Sequence, residues 1–311
     1  LYLQIIKKGV FMLTDIGIIF VFGITFAAFS KKIGLAPIIG MLIAGILISP
    51  HQLGLVSNSI VSLSSDLRQI ALVTILSRAG LSLSFENLKK VGRPAILLGF
   101  IPATFEMLGL IIFAKIIFNI EAIDAGIMAA VLAAVSPAIV VPRMIKLMDE
   151  GYGASKNIAE MILAGASVDD VFVIVFFSSF LAFKTGGNLT AMNFLNIPIS
   201  IITGIFLGII VGKSLTILFK KISINPIYKS MVFISASFLM LKLEELVENY
   251  IAISALIGIM VAGMAIKRED KNLSKNILES FDRLWKVFEV FLFVLVGISV
   301  DMVYVLSLIH I

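Results

Sequence analysis

Two adjacent carboxylates, Asp169 and Asp170, stand near the middle of an apolar segment running from about residue 157 to 183. At ~1.5 Å per residue, a helix of that length crosses a bilayer with some tilt and sets both near the midplane. An ionised side chain there costs at least ~2.5–3.5 kcal/mol, and two side by side repel. Such a pair must face protein or water, and it reads as an ion or proton site. If Ser167-Val168-Asp169-Asp170 instead capped a fresh helix, Val171 to Phe183 would be too short to span. Neighbours on a helix point about 100° apart, so the two carboxylates cannot both meet one ion head-on. Gly165 and Ala166, one turn earlier, are small enough to let the preceding span pack close to Asp170.

That preceding span carries Val135-Ser136-Pro137 at its centre. A proline in mid-helix removes a backbone donor and clashes with the turn before it. The result is either a plain kink or a discontinuous helix whose free carbonyls and helix ends can coordinate a small ion. Ser136 adds a hydroxyl, and oxygen ligands of this kind suit a hard cation such as Na⁺. A carboxylate that binds Na⁺ when ionised and a proton otherwise holds one at a time, which is all that exchange requires. An ordinary Asp, with a pKa of ~3.9, would hardly hold a proton at neutral pH. Midplane burial and a like-charged neighbour create the environment that retains one, and the two acids are expected to titrate as a coupled unit.

The elements that hold these residues follow from composition. The chain has 311 residues, 59% hydrophobic and 14% charged, which describes a polytopic all-α membrane protein. Ten spans are expected, at about 16–30, 37–49, 59–80, 94–118, 122–147, 157–183, 196–219, 228–247, 252–266 and 281–300. Loops after odd-numbered spans hold the Lys and Arg, from Lys31 and Lys32 to Lys267, Arg268, Lys271 and Lys275. Loops after even-numbered spans hold almost none, so the odd loops are expected in the cytoplasm of a plasma (inner) membrane protein with its amino terminus outside. Lys7 and Lys8 dissent mildly. The net charge of +5 therefore reflects topology and not nucleic acid. No cofactor is called for, and with no cysteine the redox compartment is unreadable.

An internal repeat organises the spans. Gly40-Met41-Leu42-Ile43-Ala44-Gly45 recurs as Gly258-Ile259-Met260-Val261-Ala262-Gly263, an offset of 218 residues. Gly80-Leu81-Ser82 recurs as Gly297-Ile298-Ser299, an offset of 217. Seven spans is an odd number, so the copies enter the membrane from opposite sides, the inverted plan of secondary transporters. The first repeat covers about 13–183 and the second begins near 196. The partner of the broken fifth span would fall beyond Ile311, where the chain stops inside a hydrophobic run. The chain is therefore expected to be a fragment, with an open cleft beside Ser136 and Pro137.

The ordered set Leu35-Ala36-Pro37-Ile38-Ile39-Gly40, Ala79-Gly80-Leu81, Val135-Ser136-Pro137, Val168-Asp169-Asp170 and Gly297-Ile298-Ser299 spans essentially the whole chain. It resembles the monovalent cation:proton antiporter superfamily, the sodium/proton exchangers. The resemblance implies a thirteen-helix fold, a homodimer, a dimerisation domain and a mobile core, and two crossing discontinuous helices, of which the fifth here is one. Residues 1–311 would be a C-terminally truncated exchanger transmembrane domain. The resemblance makes Asp170 the main cation and proton carrier, and puts Asp169 where branches differ between Asp and Asn. This chain departs from one branch at Ser136, where that branch has Asp, and at Gly165, where it has Glu. The basic residue that neutralises the crossing helices is absent, which leaves electrogenic and electroneutral exchange both open.

Two further acids enter. Glu106 lies in mid-span and reads either as a second proton site or as a structural acid paired with another helix. Glu289 matches a family Glu and is expected to hold the core together. Lys115 and Lys213 lie near span ends and can snorkel, and a pH-sensing role for His51 is the weaker reading. An intramembrane aspartyl protease would need its two Asp on facing helices, and here they are adjacent on one. Potassium efflux or a channel on the same fold is the alternative to sodium/proton exchange. Nothing in the chain resembles a nucleotide-binding loop, a His/Cys metal cluster or a nucleic-acid module.

Overall fold

The computed structural model describes residues 2–184, 191–222, 224–248 and 250–302, and their side chains except those of 2–11, 170, 178, 182 and 191–194. The described chain is helical throughout: α1 (Tyr2–Lys32), α2 (Pro37–Ile48), α3 (Asn58–Ser82), α4 (Phe85–Phe118), α5 (Ala122–Ala133), α6 (Pro137–Asp149), α7 (Ile158–Lys184), α8 (Ala191–Lys221), α9 (Pro226–Val247), α10 (Ala255–Glu269) and α11 (Lys271–Ile298). Each expected span falls on a helix, and the fifth falls on two, α5 and α6. Six of these segments are long and apolar enough to cross a membrane, the broken fifth being counted as one. At 12 and 15 residues, α2 and α10 are short for a crossing. Several helices also run past their apolar stretch. The basic turns of Lys89, Lys90 and Arg93 belong to α4, and α11 starts at Lys271.

Two compact units divide the chain, residues 1–74 with 283–311 and residues 75–282. In the first, α2 meets the end of α11. A Cβ on Gly45 would lie 2.1 Å from the Val294 carbonyl oxygen, and one on Gly297 would lie 2.2 Å from that of Leu42. Asp15 on α1 accepts bonds from the Ser57 backbone amide (3.2 Å) and hydroxyl, just ahead of α3.

In the second unit the end of α3 meets α10. A Cβ on Gly80 would lie 2.1 Å from the Met260 carbonyl oxygen, and one on Gly263 would lie 2.7 Å from the Leu81 amide nitrogen. The first motif of one copy thus packs on the second motif of the other, and the reverse. Between helices that share an apolar solvent, close backbone approach at small residues is the main source of cohesion. The same device joins α8 to α10, where Gly204, Gly208 and Gly212 meet the carbonyls of Ser254, Gly258 and Ala262 in step, so these two helices run parallel. A core of Leu81, Leu215, Phe219, Phe233, Ile277 and Phe281 closes that end, with Phe233 edge-on to Phe281 at 5.7 Å.

Candidate functional site

Three faces of α7 make three different contacts, all within the second unit. Gly165 and Val168 turn to α4, where Gly99 leaves room for the Val168 side chain and Phe100 packs edge-on to Phe172 at 5.2 Å. Ser167 is buried toward α10, its hydroxyl donating to the Leu163 carbonyl (3.1 Å) and the Met260 sulfur (3.2 Å). Ile162, Ala166 and Asp169, spaced i, i+4, i+7, line the side that meets the broken span. The expectation that Gly165 admits the fifth span is therefore corrected. Gly165 lies beside the stripe that faces the break and not in it, and its space is taken by Leu98 and Ala95 of α4.

Between α5 and α6, residues 134–136 leave the helix. Ala134 and Ser136 are extended, at φ −65°, ψ 124° and φ −73°, ψ 112°. Pro137 explains this. It forces the residue before it out of the α region, and as the first residue of α6 it needs no amide partner. The break frees the Val135 amide, which donates to the Asp169 carboxylate at 3.0 Å. Asp169 is 3% exposed. The first half of the broken span is tied to α7 again at its far end, where Asp124 pairs with Lys184 and Gly126 seats the Phe180 ring.

A cavity of about 180 Å³ opens at this point, lined by Pro102 and Glu106 of α4, Ala133 and Val135 of the broken span, and Ala166 and Asp169 of α7. Glu106 and Asp169, 63 positions apart in the chain, thus share one space. Ser136 is exposed and is not part of the lining; its carbonyl accepts the Ile139 and Val140 amides at 3.1 Å. Asp170 follows Asp169 on α7, but its side chain lies outside the described residues. Glu289 belongs to the other unit. The Val135 amide carries no side-chain signature and is invisible to a reading of residue types. Leu98, Pro102 and Glu106, spaced i, i+4, i+8, form the stripe that α4 turns to the same space; the spacing is legible in the sequence, the partner is not.

Among the described residues no group of three or more His, Cys, Asp or Glu is arranged to hold a metal ion. The arrangement offers instead a buried carboxylate, a second acid, a backbone donor and open helix ends around a cavity roomy enough for several water molecules.

The model of the sodium/hydrogen exchanger transmembrane family matches residues 16–311. Mouse sodium/hydrogen exchanger 9B2 is 30% identical over 278 residues, 86% of this chain and 49% of the relative. Human sodium/hydrogen exchanger 9B2 is 34% identical over 183 residues, 57% of this chain and 33% of the relative. The chain therefore spans about half the length, or less, of these relatives. In fold it is similar to the sodium proton antiporter MjNhaP1 from Methanocaldococcus jannaschii, with a TM-score of 0.76 over 94% of this chain and 71% of that one at 19% identity. Family match and fold agree: the chain is a multi-pass membrane protein, and it belongs to the sodium/hydrogen exchanger transmembrane family.

Proposed function

We propose that this chain forms the ion-translocating part of an antiporter that exchanges a monovalent cation, Na⁺, for H⁺ by competition at the Asp169–Asp170 pair. The observation that carries the reading is the bond from the Val135 amide, freed by the break, to buried Asp169, in a cavity that also holds Glu106. In this reading Asp169 anchors the broken span, and Asp170 carries cation or proton. Ser136 and the free ends of α5 and α6 complete the oxygen environment. Glu106 is an accessory acid. In this reading the antiporter is a homodimer in the plasma membrane; the Lys and Arg of the odd-numbered loops support placing its amino terminus outside.

The test uses the full-length protein in proteoliposomes, with Na⁺ and proton flux read together. Asp170→Asn is expected to abolish Na⁺-coupled proton movement while the protein still folds. Near-normal exchange by that variant overturns the assignment of Asp170. Asp169→Asn is expected to be milder, because an amide oxygen still accepts the Val135 N–H, and to shift the pH profile of exchange. An unshifted profile would mean the two side chains are not coupled. Cation flux without proportionate proton movement would replace the antiporter with a channel, and K⁺ in place of Na⁺ would change the substrate alone.

A further inference from the structure

The first turn of α4 and the end of α10 meet at a cleft that the exchange site does not use. It has a volume of about 430 Å³ and is lined by Phe85, Glu86, Leu88, Lys89 and Arg268. Arg268 stands over the Phe85 ring, 5.9 Å from its centroid. The Glu86 carboxylate accepts the Ser84 hydroxyl and lies within electrostatic reach of Lys271 and Arg268. Lys90 and Arg93 follow on α4, while Glu269 and Asp270 follow Arg268, so cations remain in excess around the opening. Asp270 is engaged as an acceptor for the Leu273 amide at 2.9 Å.

The cleft sits where apolar sequence gives way to basic sequence on two helices at once. On α4 the change falls at Arg93, and beyond it Ile96 and Leu97 are exposed along the helix. On α10 it falls at Ile266, after an almost wholly buried run. A cationic mouth, with exposed apolar side chains farther along the same helix, matches a molecule with an anionic head and hydrocarbon tails. A soluble anion would use the mouth and leave those side chains unexplained. We infer that this cleft binds the headgroup of an anionic membrane phospholipid, with Lys89 and Arg268 on the phosphate, Phe85 beneath it, and the acyl chains along α4.

The experiment measures the melting temperature of the full-length protein in neutral detergent. The additions are phosphatidylglycerol, phosphatidylcholine, or glycerol phosphate as the soluble headgroup. Phosphatidylglycerol is expected to raise the melting temperature more than phosphatidylcholine does, and glycerol phosphate to leave it unchanged. Replacing Lys89→Gln and Arg268→Gln together is expected to remove at least about half of the lipid-specific rise. Removing the same charge at Lys220→Gln and Lys221→Gln, on the exposed end of α8, should leave it intact. The swap Lys89→Arg with Arg268→Lys keeps the charge and should keep the rise, which guards against a loss of folding in the first pair. Equal loss in both Gln pairs would overturn the cleft in favour of diffuse attraction. Loss in neither pair would overturn it outright, and equal stabilisation by glycerol phosphate would overturn the lipid assignment. Exchange in phosphatidylcholine vesicles reads the transport mechanism separately, because none of these residues lies at the aspartates.

Discussion

The repeat builds the same glycine junction twice, and the two copies differ one turn beyond the contact. Gly45 packs on Gly297, and Gly263 packs on Gly80. Four residues after Gly45 comes Ser49, fully buried, whose hydroxyl has no hydrogen-bond partner among the described residues. Four residues after Gly263 comes Lys267, whose ammonium donates to the Ser82 carbonyl at the end of α3. The second junction is also wired to the site helix, since Met260, which touches Gly80, accepts the Ser167 hydroxyl. The contact itself is set by backbone shape and survives inversion. What surrounds it differs: Lys267 opens the basic run Lys267, Arg268, Lys271 and Lys275, whereas no Lys or Arg lies within ten residues of Ser49 in the chain. Symmetry here belongs to the scaffold, and the charge that decorates it is asymmetric.

The largest effects are expected from breaking the shared contact. Gly263→Val or Gly45→Val places a side chain against backbone atoms, which cannot swing aside. Overpacking ordinarily costs ~1–3 kcal/mol, and a clash with main chain belongs at or above the top of that range. Both variants of the full-length protein should lose the monodisperse folded peak in size-exclusion chromatography. If one survives at wild-type melting temperature and the other does not, the junctions are not equivalent.

A smaller and more selective effect is expected at the break, which is the counter-example to the junctions because its backbone is opened and not pressed together. Pro137→Ala lifts the restriction on Ser136 and supplies the missing amide, so the helix can close across residues 134–136. That would draw the Val135 amide away from Asp169. The expected outcome is a melting temperature equal to or above that of the parent, with exchange at least about tenfold slower. Unchanged exchange would show that the discontinuity does not depend on the proline.

Much of this was legible in the residues themselves, for identifiable reasons. Pro137 announces a break because its ring acts on its immediate neighbours, and paired aspartates in an apolar run mark a candidate site because the bilayer penalises charge there. The repeated glycines announce junctions because only glycine tolerates a carbonyl at 2.1 Å from the Cβ position. Rotation of a helix about its axis is another matter. Whether Gly165 faces α4 or the break, and whether Glu106 shares a cavity with Asp169, depends on which neighbours α4 and α7 find. Local sequence carries only the stripe spacing, not the partner. The Val135 donor is a main-chain atom and has no residue type to betray it.

The smallest effect should come from exchanging the residues that distinguish the junctions. Lys267 lies just past the apolar run of α10. Burial pushes its ammonium below the ordinary lysine value, while the Glu160 carboxylate pulls it back and Lys271 adds to the lowering. A base whose folded value is depressed weighs against folding while it is protonated. That burden is complete below the folded value, lifts as pH rises through it, and is gone above the unfolded value. Lys267→Ser, which installs the residue that the other junction carries, removes both this burden and the cation at the end of α3. Such a cation is ordinarily worth ~0.3–1 kcal/mol, so near neutral pH the two effects oppose and the net change should be slight. As pH rises from the folded value toward the ordinary lysine range, the parent should gain stability relative to the variant. Melting temperatures of both proteins measured in parallel across the alkaline range will show it. Curves that stay parallel, or that diverge in the variant's favour, would mean that Lys267 is no more burdened by burial than Ser49 is at the junction without charge.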